Sequence, residues 1–114
     1  KDLYQAANEN NISTLIEVHT EKEAEKSLFF ENSIIGINNR NLDTLKVSLE
    51  TTRDLVGIID GHKNPLVCES GINSSDDIEY VIENSGIYNF LVGESLLKNQ
   101  DMGQKFKELT QISL

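Results

Sequence analysis

Four short apolar runs, interleaved with amphipathic stretches, most restrict the fold that this chain can adopt. The runs are "STLIEV" (13–18), "SIIGIN" (33–38), "PLVCE" (65–69) and "YNFLVG" (88–93). Each is rich in Ile, Val, Leu or Phe and too brief for a helix, so we predict four strands. Runs that are apolar on both faces are typical of parallel strands covered by other elements on each side.

Helical patterns fill the intervals between the runs. Three helix caps are expected: Thr20 with Glu23, Ser48 alone, and Ser74 with Asp77. Apolar positions behind each cap follow a helical spacing and predict three core-facing stripes. The stripes are Ala24 and Leu28; Thr52, Leu55, Val56 and Ile59; and Ile78, Val81 and Ile82. A last helix carries Met102, Phe106 and Leu109.

The order of elements is a helix tail over residues 1–11 followed by four βα units over residues 12–114. Alternating strands and helices predict an α/β fold of parallel strands joined by right-handed crossovers. A complete (β/α)8 TIM barrel takes roughly 250 residues, so this chain has about the length of half of one. Because the first residue is Lys1 and the chain opens inside a helix, we expect a single segment of something longer.

Charge and cysteine content narrow the class of partner. The formal net charge is −9, with 19 acidic and 10 basic residues, which argues against a nucleic acid or an anionic membrane surface. Cys68 is the only cysteine, so no internal disulfide forms, and no apolar run is long enough to span a bilayer. We expect a cytoplasmic setting, in which a small anionic ligand can still bind a local pocket.

Polar residues stand at the carboxyl ends of all four predicted strands, where parallel α/β proteins bind their ligands. The ends are Glu17-Val18-His19, Asn38-Asn39-Arg40, Glu69-Ser70-Gly71 and Gly93-Glu94-Ser95. Because side chains alternate along a strand, Glu17, Asn38 and Glu69 are predicted to share the less apolar face. Glu17 is flanked by residues expected to be buried, so its carboxylate needs a partner or a raised pKa.

The third and fourth strand ends also carry glycine. Gly71 and Gly93 allow close backbone approach, and "GESLL" reads as the first turn of a short helix whose free amides can hold a phosphate. A carboxylate repels a phosphate, so we expect the Glu94 side chain to turn away while its amide binds. The two ends together predict a phosphate site.

At these residues the chain resembles the C-terminal half of indole-3-glycerol phosphate synthase, a tryptophan-pathway (β/α)8 barrel. The matching segments are "LIEVHTEKEAEKSL", "IIGINNRNLDTLKVSLETT", "LVCESGINSSDDIEYV" and "FLVGESLL". They cover nearly the whole chain, and "GINNRNL" with "ESGI" is the most specific part. The resemblance implies that the four strands are the fifth to eighth of the barrel.

The resemblance also implies a lyase reaction, the decarboxylating ring closure of a carboxyphenylamino-deoxyribulose phosphate that releases carbon dioxide and water, without metal or organic cofactor. Position by position it implies a role for each of nine residues. Glu17 matches the general base and Asn38 a substrate-contacting amide; Arg40, Glu69 and Ser70 match substrate-binding residues; Gly71, Gly93, Glu94 and Ser95 match the phosphate grip.

One departure from the family pattern concerns proton donation. The family's general acid and a second essential lysine lie on strands of the N-terminal half, and this chain has no counterpart of them. Its eight lysines all fall in predicted helices or turns. Since dehydration and decarboxylation need a proton donor within hydrogen-bond reach, we expect the isolated segment to be inactive. Its partners would be the missing N-terminal half barrel, or a second copy at the open sheet edges.

Other interpretations stay open. The chain can be a non-catalytic phosphate-binding half barrel, or part of another phosphosugar barrel enzyme such as a sugar-phosphate isomerase. Several site residues also have purely structural interpretations. Glu17 can pair with a neighbouring strand, Arg40 can be a solvated charge, Asn38, Asn39 and Asn41 can form turns (an interpretation preferred for Asn41 but not for Asn38), His19 can pack or cap, and Cys68 can be a small buried hydrophobe.

Overall fold

The computed structural model describes residues 2–98 and 101–111, and in them strands and helices alternate as predicted. The helices are α1 (Asp2–Glu9), α2 (Glu21–Ser27), α3 (Glu50–Ile59), α4 (Ser75–Ser85), α5 (Glu94–Leu97) and α6 (Met102–Thr110). The strands are β1 (Leu15–Val18), β2 (Ile34–Asn38), β3 (Leu66–Glu69) and β4 (Asn89–Leu91). None of the helices in these ranges has both the length and the apolar content needed to cross a bilayer.

The four strands form one parallel sheet in the order β1-β2-β3-β4, the same order as in the chain. One face of the sheet packs against helices, and Ile35, Ile37 and Cys68 on that face are fully buried. The opposite face is open, where Leu15 and Leu91 are 46% and 56% exposed. The sequence interpretation that both faces are covered is therefore wrong for the described residues. A parallel sheet in chain order with helices on one face is an α/β half of a (β/α)8 barrel.

Helix starts follow the predicted caps in two of three cases. Thr20 Oγ1 accepts from the Glu23 backbone N–H at 3.2 Å, and Ser74 with Asp77 forms a reciprocal capping box at the start of α4. The prediction for Ser48 is off by one residue, because Leu49 is the N-cap of α3. The Ser48 hydroxyl still accepts from the Glu50 backbone N–H at 3.3 Å, so it satisfies one free amide of the first turn.

The predicted core stripes are buried or half-buried, with three exceptions, Leu28, Met102 and Phe106. The stripes of α3 and α4 form the core together with Ala24, Ile35 and Ile37. Leu28 is exposed because α2 ends at Ser27 and Leu28 is already its C-cap. In α6, Leu109 is buried, whereas Met102 and Phe106 remain exposed.

Candidate active site

Glu17, Asn38 and Glu69 lie together on the open face of the sheet, as the alternation of side chains predicts. The strand register pairs Glu17 with Gly36 and Asn38 with Glu69. Asn38 Nδ2 lies 3.5 Å from Glu17 Oε1, and Asn38 Oδ1 accepts from the Arg40 backbone N–H at 3.0 Å. One amide therefore bridges the carboxylate of β1 and the backbone that leaves β2.

The buried carboxyl of this group is Glu69, not Glu17. The flanking Val18 is buried as expected, but the Glu17 side chain itself is exposed, because β1 is an edge strand whose open face is uncovered. Glu69 is only 4% exposed. Burial, then the hydrogen bond with Glu17 and the charge of Glu17, raise the pKa of Glu69 from 4.5 to about 7. The pair thus places a carboxyl that holds its proton near neutral pH beside a solvated one.

Arg40 is held by an ion pair that joins the ends of β2 and β4. Its Nη2 lies 2.8 Å from Glu94 Oε2, and its Nη1 donates to the Leu45 carbonyl at 3.2 Å. The other Glu94 oxygen lies 3.0 Å from Lys98 Nζ. Lys98 and then Arg40 lower the pKa of the Glu94 carboxyl. The Glu94 side chain thus turns toward Arg40 rather than away from the mouth, because a guanidinium stands opposite it.

The ends of β3 and β4 enclose a cleft of about 440 Å³, which we call the β3–β4 cleft. It is lined by Arg40, Val47, Glu69, Ser70, Gly71, Ile72, Asn73, Leu91, Val92, Gly93 and Glu94. Six of the nine predicted site residues therefore line one cleft: Arg40, Glu69, Ser70, Gly71, Gly93 and Glu94. The cleft combines a buried carboxyl, a guanidinium and exposed backbone.

The other three predicted site residues are not among the described residues that line the β3–β4 cleft. Glu17 and Asn38 lie on the open face of the sheet, in contact with each other. Ser95 falls within α5, but its side chain lies outside the described part of the structure.

Two left-handed residues end β3 and shape one wall of the β3–β4 cleft. Ser70 has a φ of 67° and Gly71 a φ of 87°. A Cβ at Gly71 would lie 2.8 Å from Val47 Cγ1 and 3.0 Å from Leu49 Cδ2, so both its backbone angle and its surroundings require glycine. At the end of β4, a Cβ at Gly93 would meet nothing within 4 Å. The Gly93 backbone is therefore open to a ligand, and the predicted close approach is possible there.

Asn39 is a buried residue whose role the sequence interpretation did not identify. Its Nδ2 donates to the carbonyls of Glu69 at 3.1 Å and Ser70 at 3.0 Å and approaches Cys68 Sγ at 3.2 Å. Its Oδ1 accepts from the backbone N–H of Thr52 at 3.1 Å and from the Thr52 hydroxyl at 2.7 Å. One amide thus joins the ends of β2 and β3 to the first turns of α3, beside the cleft.

The turn interpretation of Asn41 and the packing interpretation of Cys68 are confirmed. Asn41 Oδ1 accepts from the backbone N–H groups of Asp43 at 2.9 Å and Thr44 at 3.0 Å, and so forms the turn. Cys68 is fully buried, and burial raises the pKa of its thiol. A buried neutral thiol contributes packing rather than nucleophilic reactivity.

A second cleft, which we call the β1–β2 cleft, contains a lysine that the sequence interpretation placed in a turn. The bridge between Arg40 and Val47 folds the loop after β2 back on itself. Lys46 consequently lines a cleft of about 630 Å³ together with His19 and Asn38. The His19 ring is held through Nδ1, which lies 3.2 Å from Glu23 Oε1. A lysine in the loop that follows a strand can reach the same mouth as a residue of the strand itself.

The arrangement can bind an anionic ligand and move protons beside it. Arg40 and the glycine backbone supply an anion-binding wall, while the Glu69 carboxyl, whose pKa is raised to about 7, lies beside the solvated Glu17 carboxyl. Among the described residues, no group of three or more His, Cys, Asp or Glu side chains is arranged to hold a metal ion. The side chains that stand at the mouth are suited to acid–base chemistry.

Comparison with known proteins identifies one family that matches nearly the whole chain. The family model described as "Indole-3-glycerol phosphate synthase" matches residues 1–109. Relatives of that name from Polynucleobacter necessarius and Chromobacterium violaceum are each 39% identical, over 109 and 110 residues, and each match covers 96% of this chain. One from Oceanobacillus iheyensis is 35% identical over 109 residues.

The match covers most of this chain but a minor part of each relative. This chain spans 40% of the Polynucleobacter necessarius and Chromobacterium violaceum proteins and 41% of the Oceanobacillus iheyensis protein. The fold agrees with that extent, since four parallel strands make up half of an eight-stranded barrel. The chain belongs to the indole-3-glycerol phosphate synthase family and matches the C-terminal half of its members.

Proposed function

We propose that this chain supplies the fifth to eighth strands of an indole-3-glycerol phosphate synthase. The complete enzyme would convert 1-(2-carboxyphenylamino)-1-deoxyribulose 5-phosphate to indole-3-glycerol phosphate, with release of CO2 and water. The observation that carries the proposal is the meeting of Glu17, Asn38 and Glu69 on the open face, beside the β3–β4 cleft. The cytoplasmic setting stays a prediction.

The residues divide into a proton-transfer group and an anion-binding group. Glu17, solvated and next to Asn38, is the proposed general base that accepts a proton as water leaves the ring-closed intermediate. Asn38, Glu69 and Ser70 would orient the substrate between the two groups. Arg40 provides the positive charge on the phosphate side of the cleft.

The phosphate grip is proposed for the backbone of Gly71, Gly93, Glu94 and Ser95. Gly71 and Gly93 both line the β3–β4 cleft, and a Cβ at Gly93 would meet nothing within 4 Å. Glu94 contributes through its amide, while its carboxylate is engaged by Lys98 and Arg40. A phosphate entering the cleft competes with that carboxylate for Arg40.

The first prediction concerns activity and the missing half of the barrel. We expect the 114-residue chain alone to give no measurable turnover, because the family's proton-donating lysines belong to the other half. Joined to the segment of the Polynucleobacter necessarius relative that precedes its match, the chain should form indole-3-glycerol phosphate. It should also restore tryptophan-independent growth to a bacterial strain without its own synthase.

Two variants of the joined protein make this test specific. Glu17→Gln should lower kcat by about 100-fold or more, since a general base contributes about that much. Glu25→Gln removes an exposed carboxylate of α2 and should leave kcat unchanged. Turnover by the chain alone, or a folded joined protein without turnover, would contradict the proposal.

The alternative function, a non-catalytic phosphate-binding half barrel, is favoured by one observation, the anion-binding wall of the β3–β4 cleft. It shares the binding residues with the enzyme and lacks only the chemistry. A joined protein that binds phosphorylated sugars with the expected residue dependence, but forms no product, would favour this alternative.

The second prediction concerns anion binding at Arg40. Calorimetric titration of the chain with inorganic phosphate should show binding, and Arg40→Gln should weaken that binding by about tenfold. Glu94→Gln should tighten it several-fold, because it removes the carboxylate that lies 2.8 Å from Arg40. Glu50→Gln is the charge-matched control on α3, away from the cleft. Equal effects of Glu94→Gln and Glu50→Gln would reject a local competition for Arg40.

A further inference from the structure

The middle of β2 contains a glycine whose missing side chain is replaced by a carboxyl group from β3. A Cβ built at Gly36 would lie 1.8 Å from Glu69 Oε2 and 3.0 Å from Glu69 Cδ. Gly36 is not among the described residues with positive φ, so its backbone conformation does not require glycine. The requirement is one of space, because the Glu69 carboxyl occupies the volume that a side chain at position 36 would fill.

The space above Gly36, which we call the Gly36 notch, lets the Glu69 side chain extend toward β1 and the carboxyl of Glu17. Glu17 is paired with Gly36 in the register of β1 and β2, so a carboxyl that lies over Gly36 points at Glu17. The Glu17 carboxyl lies close enough to raise the pKa of Glu69, through a hydrogen bond and through its charge. Among the described residues, no hydrogen-bond donor reaches Glu69 Oε2. Within that part of the chain, the buried Glu69 carboxyl therefore faces another carboxyl.

The charged groups that face this pair do not neutralise it. Within residues 2–98 and 101–111, neither Glu17 nor Glu69 has an ion-pair partner. Lys46, which lines the β1–β2 cleft, forms no salt bridge with either carboxyl. Two other basic groups at the strand ends pair with different carboxylates, and β4 contributes no charge. His19 contacts Glu23, Arg40 contacts Glu94, and the β4 residues opposite Val67 and Glu69 are Asn89 and Leu91.

We propose that Gly36 is a positioning residue: its bare Cα seats the Glu69 carboxyl against Glu17, so that the two carboxyls hold one proton between them. Two adjacent carboxylates without a cation do not both ionise, and the protons leave in two steps that belong to the pair. Such a pair presents one group that accepts a proton and one that donates it. Only the transfer of that proton to or from a substrate rests on the proposed function; the positioning of Glu69 by Gly36 does not.

The test is a carboxyl titration of the 114-residue chain, read without turnover. Glutamate labelled with ¹³C at Cδ is followed by NMR, and the resonance lost in Glu69→Gln identifies Glu69. We expect the upper step of the pair near the pKa of about 7. Gly36→Ala should lower this step by about 1 unit or more, because the methyl group expels the carboxyl into water. Glu17→Gln should also lower it, by removing the like charge.

The matched control is Gly57→Ala on α3, where an added Cβ meets nothing within 4 Å; it should leave the Glu69 titration unchanged. Circular dichroism reports whether each variant folds. If Gly36→Ala does not fold, the added change Glu69→Asp should restore folding, because the shorter acid leaves room for the methyl group. A double variant that stays unfolded would contradict the claim that the Glu69 carboxyl fills the space at position 36.

Two further results would overturn the proposal. One is a folded Gly36→Ala chain in which Glu69 titrates as in the parent chain. The other is a parent chain in which Glu69 titrates near 4.5, the ordinary value. Neither result bears on whether the joined protein forms indole-3-glycerol phosphate, so failure of this inference and failure of the proposed function are distinguishable.

Discussion

Replacing Asn39 with alanine is expected to lower the free energy of unfolding by about 3 kcal/mol. Asn39 is 2% exposed, and its amide is bonded to Glu69, Ser70 and Thr52. Alanine supplies neither donor nor acceptor, so the Ser70 carbonyl and the Thr52 hydroxyl each lose a partner in a site that water does not easily enter. The cost of unsatisfied buried polar groups exceeds the net value of the hydrogen bonds themselves.

The measurement is urea unfolding followed by circular dichroism, with Asn41→Ala as the matched control. Asn41 is also an asparagine of the loop after β2, but its side chain is exposed and accepts only from Asp43 and Thr44. Its replacement should cost less than about 1 kcal/mol. Equal losses for Asn39→Ala and Asn41→Ala would show that the buried network does not stabilise the chain.

Asn39 also shows why local patterns identified the elements but not all of the buried contacts. The strands and helices follow from short apolar runs and caps, which depend on neighbours in the sequence, and each predicted strand lies within two residues of the observed one. Asn39 continues the alternation of Ile35 and Ile37, so the sequence does place it on the helix-facing side. Its partners lie 13 and 30 residues away in the chain, and local periodicity does not specify them.

The meeting of Glu17 and Glu69 depends on register, which the sequence leaves open. Alternation places both carboxyls on one face, and the structure agrees. Which residues stand opposite one another is set by the packing of three strands, and this register puts the Glu69 carboxyl over Gly36. The burial of Glu69 and the exposure of Glu17 then follow from their positions in an inner strand and an edge strand. Neither could be derived from the residues of one strand.

Loop geometry is the other part that the sequence did not supply. The bridge between Arg40 and Val47 brings Lys46 to the β1–β2 cleft, although no periodic pattern marks the loop. The contact between Arg40 and Glu94 joins groups 54 residues apart. Charge repulsion from a phosphate predicted that Glu94 turns away, but the Glu94 carboxylate instead pairs with the guanidinium of Arg40.

Replacing Glu69 with glutamine is expected to remove a pH-dependent loss of stability. The pKa of Glu69 is about 7 in the folded chain, against 4.5 without the fold. Below pH 4.5 both states hold the proton, so the group costs nothing. As pH rises toward 7, the unfolded chain releases its proton first, and the free energy of unfolding falls. The full cost, about 3 kcal/mol at most, is present above pH 7.

Glu69→Gln should therefore be more stable than the parent chain at pH 8 by up to about 3 kcal/mol, and no more stable at pH 4. Urea unfolding at both pH values measures the difference. Taking the difference between the two chains cancels the carboxyls of Glu23 and Glu94, whose lowered pKa values act in the opposite direction. Glu25→Gln, an exposed control on α2, should change the free energy of unfolding only slightly, and by the same amount at pH 4 and pH 8. A Glu69→Gln chain that gains nothing at pH 8 would mean that the Glu69 carboxylate is not penalised by burial beside Glu17.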